Sequence, residues 1–147
     1  MNVAPYTVRI ADWPADEQRI RGIREAVFVI EQNIDHSLEW DNLDGQCTHA
    51  LATDRAGADM GTARLLPNGQ IGRMAVLASW RRRGVGTALL HILLDNARER
   101  RLAECFLNAQ TAVIGFYQSQ GFVAVGPEFM EAGIPHQRMV FGLSTQD

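Results

Sequence analysis

The chain opens with an alternating run at residues 6–10, which predicts a short strand. Asp12-Trp13-Pro14 then supplies a capping acid and an early helical proline. Ile20, Ile23, Ala26, Val27 and Ile30 recur at helical spacing with arginines and glutamates between them, so a helix should run to near Gln32. Periodicity lapses over residues 33–46, a loop with room for a short helix. Three strand-like runs follow at 47–53, 60–66 and 70–76, joined by turns at Gly57 and Pro67-Asn68-Gly69, and together they read as an antiparallel meander. Val85, Leu89, Ile92 and Leu93 mark the buried stripe of a long helix from about Gly84 to Arg100. A strand at 104–108 comes next, then a helix that Thr111 can cap and Gly121 can end. Strands at 122–125 and 136–143 close the order. Strands and helices interleave without repeat or linker, which predicts one mixed α/β domain around a mostly antiparallel sheet.

Composition narrows the class. A length of 147 residues suits a single core, and 46% hydrophobic with 21% charged residues is ordinary for a globular protein. No apolar run is long enough to span a bilayer, and the first ten residues lack a secretory pattern, so the cytoplasm is the expected address. Cys47 and Cys105 lie in apolar segments and read as reduced core residues. A net charge of −3 argues against nucleic acid as a partner. All 14 cationic residues are arginine, which excludes Schiff-base chemistry and a lysine-dependent phosphate loop.

Local chemistry concentrates where the third run of the meander passes into the long helix, from Arg73 to Thr87. Gly84 and Gly86 strip side chains from the first helical turn, so free N–H groups and the positive end of the helix dipole can face an anion. Arg81, Arg82 and Arg83 add charge and paired donors for phosphate. A Walker loop would need a lysine before Thr87, and a dinucleotide fingerprint would need glycine at Leu89. A plain helix cap with a solvated arginine face is the structural alternative.

Taken with the rest of the chain, Arg81-x-x-Gly84-x-Gly86 resembles the pyrophosphate-binding motif of the GNAT N-acetyltransferases, and Arg73-Met74-Ala75-Val76 resembles their central strand. Downstream, Asn108, Phe116-Tyr117 and Gly121-Phe122 resemble the family's later strand and helix. The resemblance implies a GNAT fold and acetyl-coenzyme A as co-substrate. Residues 81–87, including Val85, would hold the pyrophosphate, and backbone groups of Met74, Ala75 and Val76 would hold the acetyl and pantetheine groups. Phe116 would border the same site. Many relatives place asparagine seven residues before the tyrosine, where this chain has Gln110; Gln110 or Asn108 would then bond the pantetheine arm. Tyr117 would protonate the departing thiolate, its alternative being a packed aromatic. The implied activity is direct transfer of acetyl to a primary amine of a small molecule or peptide. A non-catalytic acyl-CoA sensor is the alternative class, and a homodimer is a further expectation.

The base that takes the amine's proton is less defined. The stretch Val27 to Gln32 resembles one in a bacterial branch of the superfamily, and Glu31 is the first candidate. Glu39, Asp41 and Asp44 fall in or near the expected acceptor loop and could attract a cationic amine, although each can equally cap a turn. His136 is a further candidate in a segment that can border the acceptor, with packing as its alternative. His49 and His91 lack ligand-like spacing, so no metal is expected.

Overall fold

The computed structural model describes residues 6–143. Its strands divide between two antiparallel sheets. The first runs β1 (Tyr6–Ile10), β2 (Thr48–Asp54), β3 (Asp59–Leu65), β4 (Ile71–Val76) in chain order. The second holds β5 (Glu104–Gln110) beside β7 (Ile134–Gly142), with β6 (Val123–Glu131) at the far edge. Among the described residues one parallel bridge, Gln70 to Phe106, links the sheets, and beyond it β4 and β5 diverge. Mixed α/β architecture with antiparallel strands and flanking helices is therefore as expected, but the strands do not form one continuous sheet.

Alternation along β2 explains how the first sheet is covered. Ala50 and Ala52 face a core shared with α3 (Val85–Glu99), whose Val85, Leu89, Leu90 and Leu93 are sealed from water. Leu51 faces the opposite way, onto Ile20, Ile23, Val27 and Phe28 of the N-terminal helix, and Ala75 of β4 joins it. That helix is α-helical as α1 (Trp13–Arg24) and continues as a π-helical segment, Glu25–Glu31. Asp12 stands at its N-cap but gives no side-chain bond; instead Asp16 reaches back to the Asp12 N–H at 2.9 Å.

The loop expected at 33–46 holds a short helix, α2 (His36–Glu39), and a 3₁₀ turn. Thr111 does not cap the next helix; it opens a 3₁₀ turn that leads into α4 (Ile114–Ser119). Gly121, at φ +100°, does end it: its N–H bonds Gln118 O and the Phe122 N–H bonds Tyr117 O, a Schellman closure. The strand expected at 122–125 is more than twice as long, because Gly126 at φ +75° takes up a register shift rather than a turn.

Two local features shape the opening between the sheets. In β4, Thr62 opposes Ala75 while Arg64 opposes Gly72, so Arg73 and Met74 together face Ala63. This bulge puts Arg73 at φ +48° and takes the extra residue out of the ladder. At the other end, α2 and the loop after it are pinned by buried charge. Arg24, wholly buried, bonds Glu39 at 2.5 Å and Asp44 at 2.8 Å. Arg64 bonds Asp44 and Asp41, and Arg73 reaches Glu39 and Asp41. Three arginines thus balance three carboxylates, and Arg21 and Arg24 also stack over the Trp40 ring at 4.5 and 4.7 Å.

Candidate functional site

A cleft of about 880 Å³ opens where β4 and β5 part. Its walls are the β4 bulge, the end of β5, the first turn of α3, α4, the π-helical segment and the β6–β7 hairpin. Strand splaying exposes backbone N–H and C=O groups that a continuous sheet would pair. An extended polar ligand is the natural partner for them.

At the α3 end, Arg82 and Gly84 both take left-handed backbone, at φ +62° and +82°, and turn successive N–H groups into one concavity. Gly84 is the N-cap of α3 and no side chain fills the cap. A Cβ on Gly86 would meet only ordinary contacts, Phe116 at 3.6 Å being the nearest, so the protein's own packing leaves room there. Arg82, Gly84, Val85, Gly86 and Thr87 line the cleft. Arg83 does not; its guanidinium lies 5.4 Å above the Trp80 ring. Arg81 lines the cleft but is engaged: its Nε donates to Val76 O at 2.8 Å, and its two terminal nitrogens fork onto Glu31 at 2.5 and 2.6 Å.

Midway along, Met74 and Val76 face the cleft, whereas the Ala75 side chain is buried on the opposite side of β4. Tyr117, from α4, is nearly buried and its ring packs edge-on against Phe116 and Phe122. Its hydroxyl donates to Met74 Sδ at 3.6 Å, and burial pushes its pKa up to about 12. The hydroxyl therefore stays protonated at neutral pH, with only a weak acceptor before it. On β5, Asn108 and Gln110 both line the cleft. Gln110 already donates to Gln32 Oε1 at 3.0 Å, joining β5 to the end of the π-helical segment, while Asn108 has no hydrogen-bonding side-chain partner among the described residues.

The remaining wall is apolar, with Val27, Phe28, Ile34 and the half-exposed Leu38. The sequence reads Val27 as helix core and Phe28 as part of the family-like stretch, not as cleft lining, and nothing in the spacing marks Ile34 or Leu38; the π-helical segment that carries Val27 and Phe28 has no separate signature in hydrophobic spacing. The carboxylates that pattern marked as base candidates meet different fates. Glu31 forks onto Arg81, whose hydrogen bonds outweigh slight burial and hold the carboxyl below its usual range. Asp41 and Asp44 lie off the cleft wall; burial works to raise both, but arginine hydrogen bonds override it, and Asp41 is held at about 2. Glu39 reaches the cleft, where burial raises it against the pull of Arg24. Proton acceptance is poorly served by Glu31, Asp41 and Asp44, which carry their charge too firmly. His136, on β7, lines the cleft as well. His49 is buried against Trp13 with its Nε2 at 2.9 Å from Asp44 O, and His91 bonds Gln120 outside the cleft.

A left-handed, side-chain-free helix start opening onto a strand split, with a protonated tyrosine farther in, is an arrangement that suits acyl transfer, and comparison places the chain among the acyltransferases of mixed α/β fold. The acetyltransferase (GNAT) domain model matches residues 15–143, and the chain belongs to that family. Among proteins it is similar to, Uncharacterized N-acetyltransferase YjcF of Bacillus subtilis is 36% identical over 121 residues, covering 80% of this chain and 86% of that one. Protein ElaA of Escherichia coli is 33% identical over 122 residues, covering 78% and 79%. The ElaA crystal structure aligns with a TM-score of 0.81 over 92% of this chain and 99% of its own, at 28% identity. A crystal structure of an acyl-CoA N-acyltransferase from Pseudomonas aeruginosa aligns with a TM-score of 0.79, 32% identity, and coverage of 93% and 98%. Membership implies an acyl-CoA co-substrate, and the residues present fit one: the concavity at Arg82–Gly84 and the open side of Gly86 suit a pyrophosphate, and the bulged strand suits the arm beyond it.

Proposed function

We propose that the protein transfers the acetyl group of acetyl-coenzyme A directly to a primary amine of a small molecule or peptide. The observation that carries this reading is the continuity of one cleft from the α3 N-terminus to Tyr117. The N–H groups of residues 82–87 bind the pyrophosphate, aided by the helix dipole and Arg82. Arg81 acts chiefly as a structural pin between Val76 and Glu31, contributing its backbone N–H. Backbone groups at the Met74 bulge, with Val76 and Ala75, orient the acyl carbonyl and the arm. Asn108, whose carboxamide has no hydrogen-bond partner among the described residues, is the better placed of the two β5 amides to bond the arm, since Gln110 is held by Gln32.

Tyr117 supplies the proton that the leaving sulfur needs. Its neutral hydroxyl already points at a sulfur, that of Met74, and a thiolate in the same space would be a far stronger acceptor. The acceptor amine approaches along the wall of Phe28, Ile34 and Leu38, an apolar surface that excludes water from the reacting atoms.

Titration calorimetry with acetyl-coenzyme A, using ATP and NAD as controls, tests the donor. Micromolar, selective heat of binding is the expected result; preference for either control overturns the reading. Thiol release across a panel of amines then tests transfer, and release that no amine accelerates would leave the protein a binder of acyl-CoA without turnover.

A further inference from the structure

The His136 Nδ1 lies 2.7 Å from the carbonyl oxygen of Ile134. A carbonyl oxygen only accepts, so Nδ1 carries the hydrogen. In the neutral ring, Nε2 is then the nitrogen with the lone pair. His136 is 7% exposed, its ring stacks on Phe129 at 5.9 Å, which fixes its plane, and its backbone sits opposite Gln110 of β5 and Phe129 of β6. Nε2 has no hydrogen-bond partner among the described residues, yet it is not among the buried unpartnered atoms, and the residue lines the cleft. A lone pair with no partner among the described residues, on a ring whose plane is fixed, thus belongs to a residue of the cleft wall.

Other groups on that wall do not offer the same. Glu31 is forked onto Arg81 and Glu39 is bonded to buried Arg24. Glu131 lines the cleft, but it is exposed beside the hairpin turn and no hydrogen bond from the described residues orients its side chain. We propose that His136 is the general base, its Nε2 taking the proton of the acceptor ammonium directly or through one water. This rests on the acetyl-transfer reading above.

The step balances as follows. His136 takes one proton from the ammonium, and the neutral nitrogen attacks the acyl carbon. A C–N bond forms, the C–S bond breaks, and the thiolate takes the Tyr117 proton. The second proton lost by nitrogen restores Tyr117 through solvent, and His136 releases its own to water. Charged groups on the elements packed against β7 are Glu104 on β5 and Glu128 and Glu131 on β6, with Arg138 on β7 itself; of these only Glu131 lines the cleft with His136.

Two measurements on the full chain decide it. Nitrogen-15 NMR of the histidines, with His136 assigned by its loss in His136→Gln, should show the neutral ring protonated at Nδ1; protonation at Nε2 overturns the proposal without any acceptor being known. With an accepted amine, His136→Gln should lower kcat/KM at neutral pH by about 10²- to 10⁴-fold. The acidic limb of the pH profile should vanish, and acetyl-coenzyme A affinity should hold. An active wild type whose His136→Gln variant keeps rate and limb overturns the base alone. A wild type that binds acetyl-coenzyme A and acetylates no amine overturns the reaction, and the base with it.

Discussion

Tyr117 and Gly86 separate chemistry from binding at the level of single atoms. Tyr117 keeps its proton because burial raises it to about 12, and Met74 Sδ is the partner its hydroxyl has. Removing that oxygen leaves the ring contacts with Phe116 and Phe122 in place. Tyr117→Phe should therefore lower kcat by about 10²-fold or more while leaving acetyl-coenzyme A affinity nearly unchanged, read by thiol release beside calorimetry. An unaltered kcat would return Tyr117 to packing. Gly86→Glu should do the reverse. The fold has space at this position, with no contact closer than 3.6 Å to a Cβ, so the melting temperature should hold while acetyl-coenzyme A binding is lost to a carboxylate beside the phosphates. Retained affinity would remove this turn from the site.

Between elements, the decisive contact is that of α3 on the strands beneath it. A Cβ on Gly61 of β3 would stand 3.0 Å from Ala75 O, 3.1 Å from Leu89 Cδ1 and 3.3 Å from Val85 Cγ1. Backbone cannot yield as a side-chain tip can. Gly61→Ala should cost about 1–3 kcal/mol in denaturant unfolding. It should also weaken acetyl-coenzyme A binding, because Val85 begins the helix whose N-terminus forms the cradle. Lower stability with undiminished affinity would mean that the cradle does not depend on this packing. The elements themselves were legible in the spacing of apolar residues, with most bounds within one or two positions. Two departures are local: the strand expected to stop at Val125 continues through a register shift at Gly126 to Glu131, and Thr111, expected as a cap, starts a 3₁₀ turn.

At the scale of the whole molecule, arginine–carboxylate pairs tie the N-terminal helix, α2 and the loop after it to β3 and β4. Their sign fixes the pH behaviour. The folded Asp41 pKa, about 2, lies below its ordinary 3.8. Its contribution, about 2 kcal/mol, is full above the ordinary value and is lost as pH falls through the folded one. Asp44, Glu31 and Asp16 are lowered likewise, and Glu39, raised by burial, opposes them. Burial lowers His49 from its ordinary 6.5, so some stability is already lost as pH falls below that value, and the melting temperature should decline gently from there and fall steeply between about 4 and 2. Asp41→Asn should shrink that fall; an identical acid profile would show that the Asp41 pairs carry none of it. The sequence by itself determined the element order, the glycine turn at Gly84 and Gly86, and Tyr117 on the helix after β5, because periodicity and glycine placement act over a few residues. Tertiary structure alone decided the rest. The sheet splits after Gln70, Arg73 is bulged, Glu31 is spent on Arg81, the loop carboxylates are neutralised by Arg24 and Arg64, and His136 has its tautomer set by Ile134. Apart from the His136 contact, these partnerships join residues distant along the chain, and charge pairing across such distances leaves no period in a sequence.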